Sequence, residues 1–224
     1  MGPTLLNKVT DKDEQFSEIC SVITIIFLSA SYADVDANLK IMGTVKPPTC
    51  SINNGDESDI EYKFTVSPQM FPTTGNLRLT PETKRIEIVC DATTILNFIA
   101  TDNRSDSVLL KGSANLFGLG KYGADDSKNI GYYSIKMKNA TTKANNDAEE
   151  TKVGISSDSD FNATQLGVNF GRKIFWASKF GQLAAAQIFA ADFEVIPVLN
   201  GALKDFSGDV SLDGHATLAF SFSI

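Results

Sequence analysis

Residues 216–224 read Ala-Thr-Leu-Ala-Phe-Ser-Phe-Ser-Ile. Ala216, Leu218, Phe220, Phe222 and Ile224 fall on one side of an extended chain, and Thr217, Ala219, Ser221 and Ser223 on the other. A period of two marks a half-buried antiparallel strand. Upstream, Leu39, Ile41 and Val45 oppose Lys40 and Lys46, and Ile60, Tyr62, Phe64 and Val66 alternate with Glu61 and Lys63. Ile86, Ile88 and Cys90 share a parity, and further runs lie at 95–99 and 133–138. From Ala185 to Pro197 a longer strand is expected, ended or edged by the proline; Leu183–Ala186 could alternatively start a short helix.

Turn signals separate these runs: Asn53-Asn54-Gly55, Thr74-Gly75-Asn76, Asn200-Gly201 and Asp213-Gly214. Ser, Thr and Asn supply 53 of the 224 residues, types that suit turns and exposed strand faces better than helix interiors. The polar stretch 139–152 reads as a long exposed loop. With no internal repeat and no break in composition, one all-β antiparallel sandwich is expected over residues 34–224.

Before that domain, residues 19–33 form an apolar run closed by Ser31-Tyr32-Ala33, a small-x-small cleavage pattern. The run is shorter than the roughly 20 apolar residues of a membrane span. Residues 1–33 are therefore expected to be a signal peptide, atypical in that Asp11, Asp13, Glu14 and Glu18 outnumber Lys8 and Lys12. The alternative is a buried N-terminal strand. Position 6 is Leu6, which excludes myristoylation. Taking two lysines and four acids from the 20 and 27 of the whole chain leaves 18 and 23, so a net charge of −7 becomes −5. Neither value suits a nucleic-acid or polybasic membrane binder.

Cleavage would also remove Cys20 and leave Cys50 and Cys90, which should pair in an oxidising compartment. Two buried free thiols are the alternative. Export to the periplasm or cell surface, with no membrane span in the mature chain, is the expectation.

Material for chemistry is scarce. With one histidine, a His-rich zinc site is excluded and a catalytic triad could use His215 alone. His215 lies beside Asp213, but no Gly-x-Ser-x-Gly elbow accompanies it, and an exposed turn histidine is the simpler reading. Asp125-Asp126 and Asp158-Ser159-Asp160 lack the spacing and closing Glu of a calcium loop. Gly118-Leu119-Gly120 lacks the Lys-Ser/Thr of a phosphate loop and suits a tight turn. Trp176, Tyr132 and Tyr133 are candidate aromatics for stacking on a sugar; aromatics at strand spacing also fill cores. No catalytic residue, metal ligand or cofactor is assigned.

Several segments together carry a resemblance. Gly43-Thr44-Val45-Lys46-Pro47-Pro48-Thr49-Cys50-Ser51-Ile52 precedes Ile86-Glu87-Ile88-Val89-Cys90, and the chain finishes on its alternating apolar strand. With Asp102-Asn103-Arg104, Asn115-Leu116-Phe117-Gly118-Leu119-Gly120 and Leu212-Asp213-Gly214-His215-Ala216-Thr217, the arrangement resembles a fimbria-like family of uncharacterised enterobacterial periplasmic proteins. One member of that family belongs to the glutamate synthase operon. More distantly it resembles the fimbrial subunits of the chaperone–usher pathway. The resemblance implies a pilin-like, immunoglobulin-related sandwich with a disulfide joining its first two strands. It also implies partnership with a periplasmic chaperone or fimbrial subunits through strand addition.

Leu218, Phe220, Phe222 and Ile224 form the candidate partner-contact strand. Two departures stand out: Asp34 to Asn38 carries only Val35 and Ala37 as apolar anchors, and the usual penultimate tyrosine of pilins is replaced by Phe222-Ser223-Ile224. A fimbrial-type structural or interaction protein, non-enzymatic, is the leading expectation; a cell-surface glycan- or small-ligand-binding module is the alternative.

Overall fold

The computed structural model describes residues 37–44, 46–53, 55, 59–157, 163–179 and 181–223. The leader region, the Asp158-Ser159-Asp160 stretch and Ile224 of the candidate contact strand lie outside the described residues. The chain divides into a unit ending at Thr44 and a second unit, Val45–Ile224. In the first, residues 37–44 form no strand and expose Leu39, Ile41 and Met42, so the strand expected there is not made.

The second unit is all-β and antiparallel. Its first seven strands are β1 (Cys50–Ile52), β2 (Leu77–Arg78), β3 (Glu82–Asp102), β4 (Phe117–Gly118), β5 (Lys121–Tyr122), β6 (Lys128–Asn129) and β7 (Gly131–Lys143). The remainder are β8 (Thr151–Lys152), β9 (Gly154–Ser157), β10 (Gln165–Gly167), β11 (Lys173–Lys179), β12 (Gln182–Leu183), β13 (Ala185–Leu199) and β14 (Ala216–Ser223). Among the described residues, twelve strands join one hydrogen-bonded network with the central order β10-β7-β13-β3-β11-β12, and β5 pairs β6 in a separate ribbon.

The runs at 86–90 and 95–99 belong to one strand, β3, 21 residues long. Its first half pairs with β13 along one edge and with β1 along the other. Past the exposed Asp91-Ala92-Thr93, Thr94 and Ile95 still pair with β13, then β11 takes over that edge from Asn97 while β14 pairs along the other. The β13 register shifts between Ala186 and Ile188 at this crossover, a bulge that bends the strand. Cys50 stands directly opposite Cys90 in the β1–β3 pair, and the two form the expected disulfide.

The central strand β13 pairs on both edges, with β3 and β7, and is buried almost throughout. Burial on both faces explains why its sequence is a near-continuous apolar run and not a clean alternation. Pro197 stands between the last β13–β3 pair, Val195 opposite Glu82, and the first β13–β2 pair, Val198 opposite Arg78. A residue without an N–H is tolerated in that gap.

The 139–152 stretch is only partly a loop. Residues 139–143 continue β7, Ala140, Thr141 and Thr142 are buried, and β8 returns at Thr151. Asn139 takes φ +51° where the β7–β13 register shifts, and Arg85 pairs with Glu150 to hold the intervening turn. Thr141 is accommodated in the strand because its hydroxyl bonds the Glu150 carboxylate and accepts from Arg85.

Candidate functional site

A groove of about 1500 Å³ with polar and apolar lining opens on one face of the second unit. That exceeds the roughly 300–1,000 Å³ of a small-ligand pocket. Its floor is the inward side of the central strands: Ile86, Tyr133, Ile135, Phe193, Val195 and Leu199. One wall is the segment 59–68; the other runs from Gly208 into β14, with Leu212, Leu218 and Phe220 facing inward.

The first wall is unusual. Ile60, Tyr62, Phe64 and Val66 are half-buried and alternate with exposed Asp59, Glu61, Lys63 and Thr65, as a strand's residues do. Yet residues 59–66 join no ladder and make no backbone–backbone hydrogen bond among the described residues. Side chains hold the segment instead. The Tyr62 hydroxyl donates to the Phe193 carbonyl at 2.9 Å, and the Lys63 N–H donates to the Glu82 carboxylate at 3.0 Å. The Lys84 ammonium lies 5.6 Å from the centre of the Tyr62 ring. Burial, helped by the Glu82 charge, pushes the Tyr62 hydroxyl up to about 12, so it keeps its proton and its donor role well above neutrality.

The opposite wall pairs on one edge only. All eight residues of β14 are in register with β3, from Ala216 opposite Asp102 to Ser223 opposite Ile95. No strand among the described residues pairs with its other edge. Leu218 and Phe220 are half-buried and pack on the core, Phe220 lying 5.5 Å from Phe98; Phe222 is more exposed, at 37%. Other outer strands are short, two residues in β12 and three in β10, the usual defence of a sheet edge. The candidate contact strand thus borders the groove through Leu218 and Phe220.

The candidate sugar-stacking aromatics are not brought together. Trp176 is fully buried, its Nε1–H donates to the Ala190 carbonyl at 3.0 Å, and its ring meets Phe98 and Phe189 edge-on. It has no face for a ligand. Tyr133 lies in the groove floor, stacked on Phe117, with its hydroxyl pushed up by burial. Tyr132, its neighbour in β7, points to the other side of the strand.

His215 is exposed at the groove rim, while Asp213 is engaged by Arg104, whose hydrogen bonds hold its carboxyl below the usual range. Gly120 takes φ +88°, a turn conformation as expected. Among the described residues no group of three or more His, Cys, Asp and Glu could hold a metal, and no helix is long and apolar enough to cross a membrane. No protein-family model matches the chain, and no curated protein matches it.

The half-buried alternation of 60–66 was readable in the sequence. That it stands unpaired across from β14 was not, because pairing depends on what lies beside a strand and not on its own pattern.

Proposed function

We propose that this chain is an exported, non-enzymatic protein of fimbrial type that acts by protein–protein contact, taking an extended segment of a chaperone or subunit into the groove. One observation carries the reading. Two extended walls with unpaired backbone edges, 59–66 and β14, flank a strip of apolar floor. An incoming strand would find N–H and C=O groups to pair with along both sides and apolar pockets for alternate side chains. Left open, such edges invite aggregation, so a partner that covers them is physically expected. The Cys50–Cys90 disulfide and the apolar run before Ala33 support an oxidising, exported setting. A pilin-like sandwich, lacking a strand where the groove lies, is the architecture this function implies.

In-cell photocrosslinking tests it. A crosslinking amino acid at Phe64 or Phe220 should capture an extended segment of another polypeptide, whereas one at the exposed Lys111 should not. Equal labelling at all three positions, or none at Phe64 and Phe220 with the protein monomeric, overturns the proposal.

A further inference from the structure

We infer that Arg104 and Asp213 form a latch that positions residues 212–217 beside the groove and controls how readily β14 opens from β3. Its value to a partner rests on the proposed reading of the groove; its existence does not.

Between the turn ending at Asp205 and β14, residues 206–215 belong to no strand. They lead into a strand with a ladder on one edge only. A segment so weakly supported opens more easily than the central strands, unless something else holds it. The motif Asp102-Asn103-Arg104 supplies the hold. Arg104 donates to both Asp213 carboxylate oxygens, Nε at 2.7 Å and the terminal nitrogen at 3.1 Å. Asn103 adds two bonds, its N–H to the His215 carbonyl at 3.0 Å and its side-chain amide to the Thr217 hydroxyl at 2.8 Å. The Asp213 N–H donates to the Leu119 carbonyl at 3.0 Å.

The anchor side is rigid. Asp102, 8% exposed, accepts the Arg104 N–H with one oxygen and the Gly118 N–H with the other, both at 2.9 Å. The Ser107 hydroxyl donates to the Arg104 carbonyl and accepts from the Gly120 N–H. A Cβ on Gly118 would stand 1.9 Å from the Arg104 carbonyl oxygen, so only glycine permits this approach. The bolt itself is more exposed: the Arg104 and Asp213 side chains are 37% and 59% accessible. Exposed ion pairs usually contribute little because two mobile side chains must be ordered. Here the Arg104 backbone is already fixed, and the fork geometry is bidentate, which raises the worth of the pair.

Amide hydrogen exchange on the full chain, with no partner present, tests the latch. In Arg104→Gln and Asp213→Asn, the amides of 212–222 should exchange several-fold faster than in the wild type, while those of 84–90 and 188–195 keep their rates. The double variant should be no faster than the faster single one, because both changes break one contact. Arg104→Lys keeps the charge and loses the fork, and should resemble Arg104→Gln. Wild-type exchange over 212–222 in Arg104→Gln, full protection in Arg104→Lys, or equal acceleration of every strand overturns the inference. A failed crosslinking experiment would leave this result standing, so the two readings fail separately.

Discussion

The hydroxyl of Tyr62 and the carbonyl of Phe193, 131 positions apart in sequence, form a 2.9 Å hydrogen bond that ties one wall of the groove to its floor. The wall has no ladder of its own, so this bond and the Lys63–Glu82 contact, with Ile60, Tyr62, Phe64 and Val66 packed on the core, set its place. The bond needs a protonated phenol.

That requirement gives the alkaline limb of stability. Tyr62 is raised from an ordinary 10.0 to about 12 in the fold, so its contribution is fully present below about pH 10 and is lost as pH rises towards 12. Tyr62→Phe should cost roughly 0.5–1.5 kcal/mol at neutral pH, the usual worth of such a bond. It should also flatten the fall in stability between pH 10 and 12, read from urea unfolding at both ends of that window. An unchanged alkaline limb would show that the phenol is not held as described.

On the acid side the relevant group is Glu194. A hydrogen bond from Lys138 at 2.5 Å holds its carboxyl below the ordinary 4.5, with Lys136 adding attraction. A depressed carboxyl stabilises the fold above its ordinary pKa and stops doing so as pH falls through the folded value. Glu194→Gln should therefore lower the melting temperature at pH 7 and narrow its gap from the wild type below pH 4. A gap independent of pH would rule out the charge as the cause.

Reducing the Cys50–Cys90 bridge should cost roughly 3–4 kcal/mol, as expected for releasing a loop of 40 residues from the unfolded chain. Urea unfolding with and without reductant measures it, and Cys50→Ser/Cys90→Ser should match the reduced wild type. Equal midpoints with and without reductant would show that the bridge does not stabilise the fold.

Trp176→Ala should cost about 3–5 kcal/mol, a large-to-small change in a closed core. Trp176 emission should be blue-shifted and should not respond to added saccharides. A quench on sugar titration would return this residue to a ligand-binding role.

Tyr122 offers the opposite case. Its hydroxyl is buried without a hydrogen-bond partner among the described residues, while its ring packs against Phe206 at 5.1 Å. Removing an unsatisfied polar atom and keeping the ring should leave the melting temperature of Tyr122→Phe equal or higher. A drop of several degrees would reveal a partner.

Much of the fold was legible because alternation is a local property. The strands of 86–90, 133–138, 185–197 and 216–223 were readable from side-chain parity, and the disulfide from the parity of the cysteines. Legibility failed where tertiary context decides. Leu39 and Ile41 alternate as well as Ile60 and Tyr62 do, yet neither segment is in a ladder. Thr141 and Thr142 look like loop residues and are buried in β7. Trp176 and Tyr133 read alike as aromatics, but one lies in the closed core and the other in the groove floor.

By itself, then, the sequence determined an all-β chain, an even pair of cysteines and an apolar final strand, all of which follow from residue type, residue count and a period of two. Only the tertiary structure decided which edges remain unpaired and that a groove opens between 59–66 and β14. It also decided that Asp102-Asn103-Arg104 grips the approach to that last strand. Those are relations between segments far apart in the chain, and no local pattern encodes which segments meet.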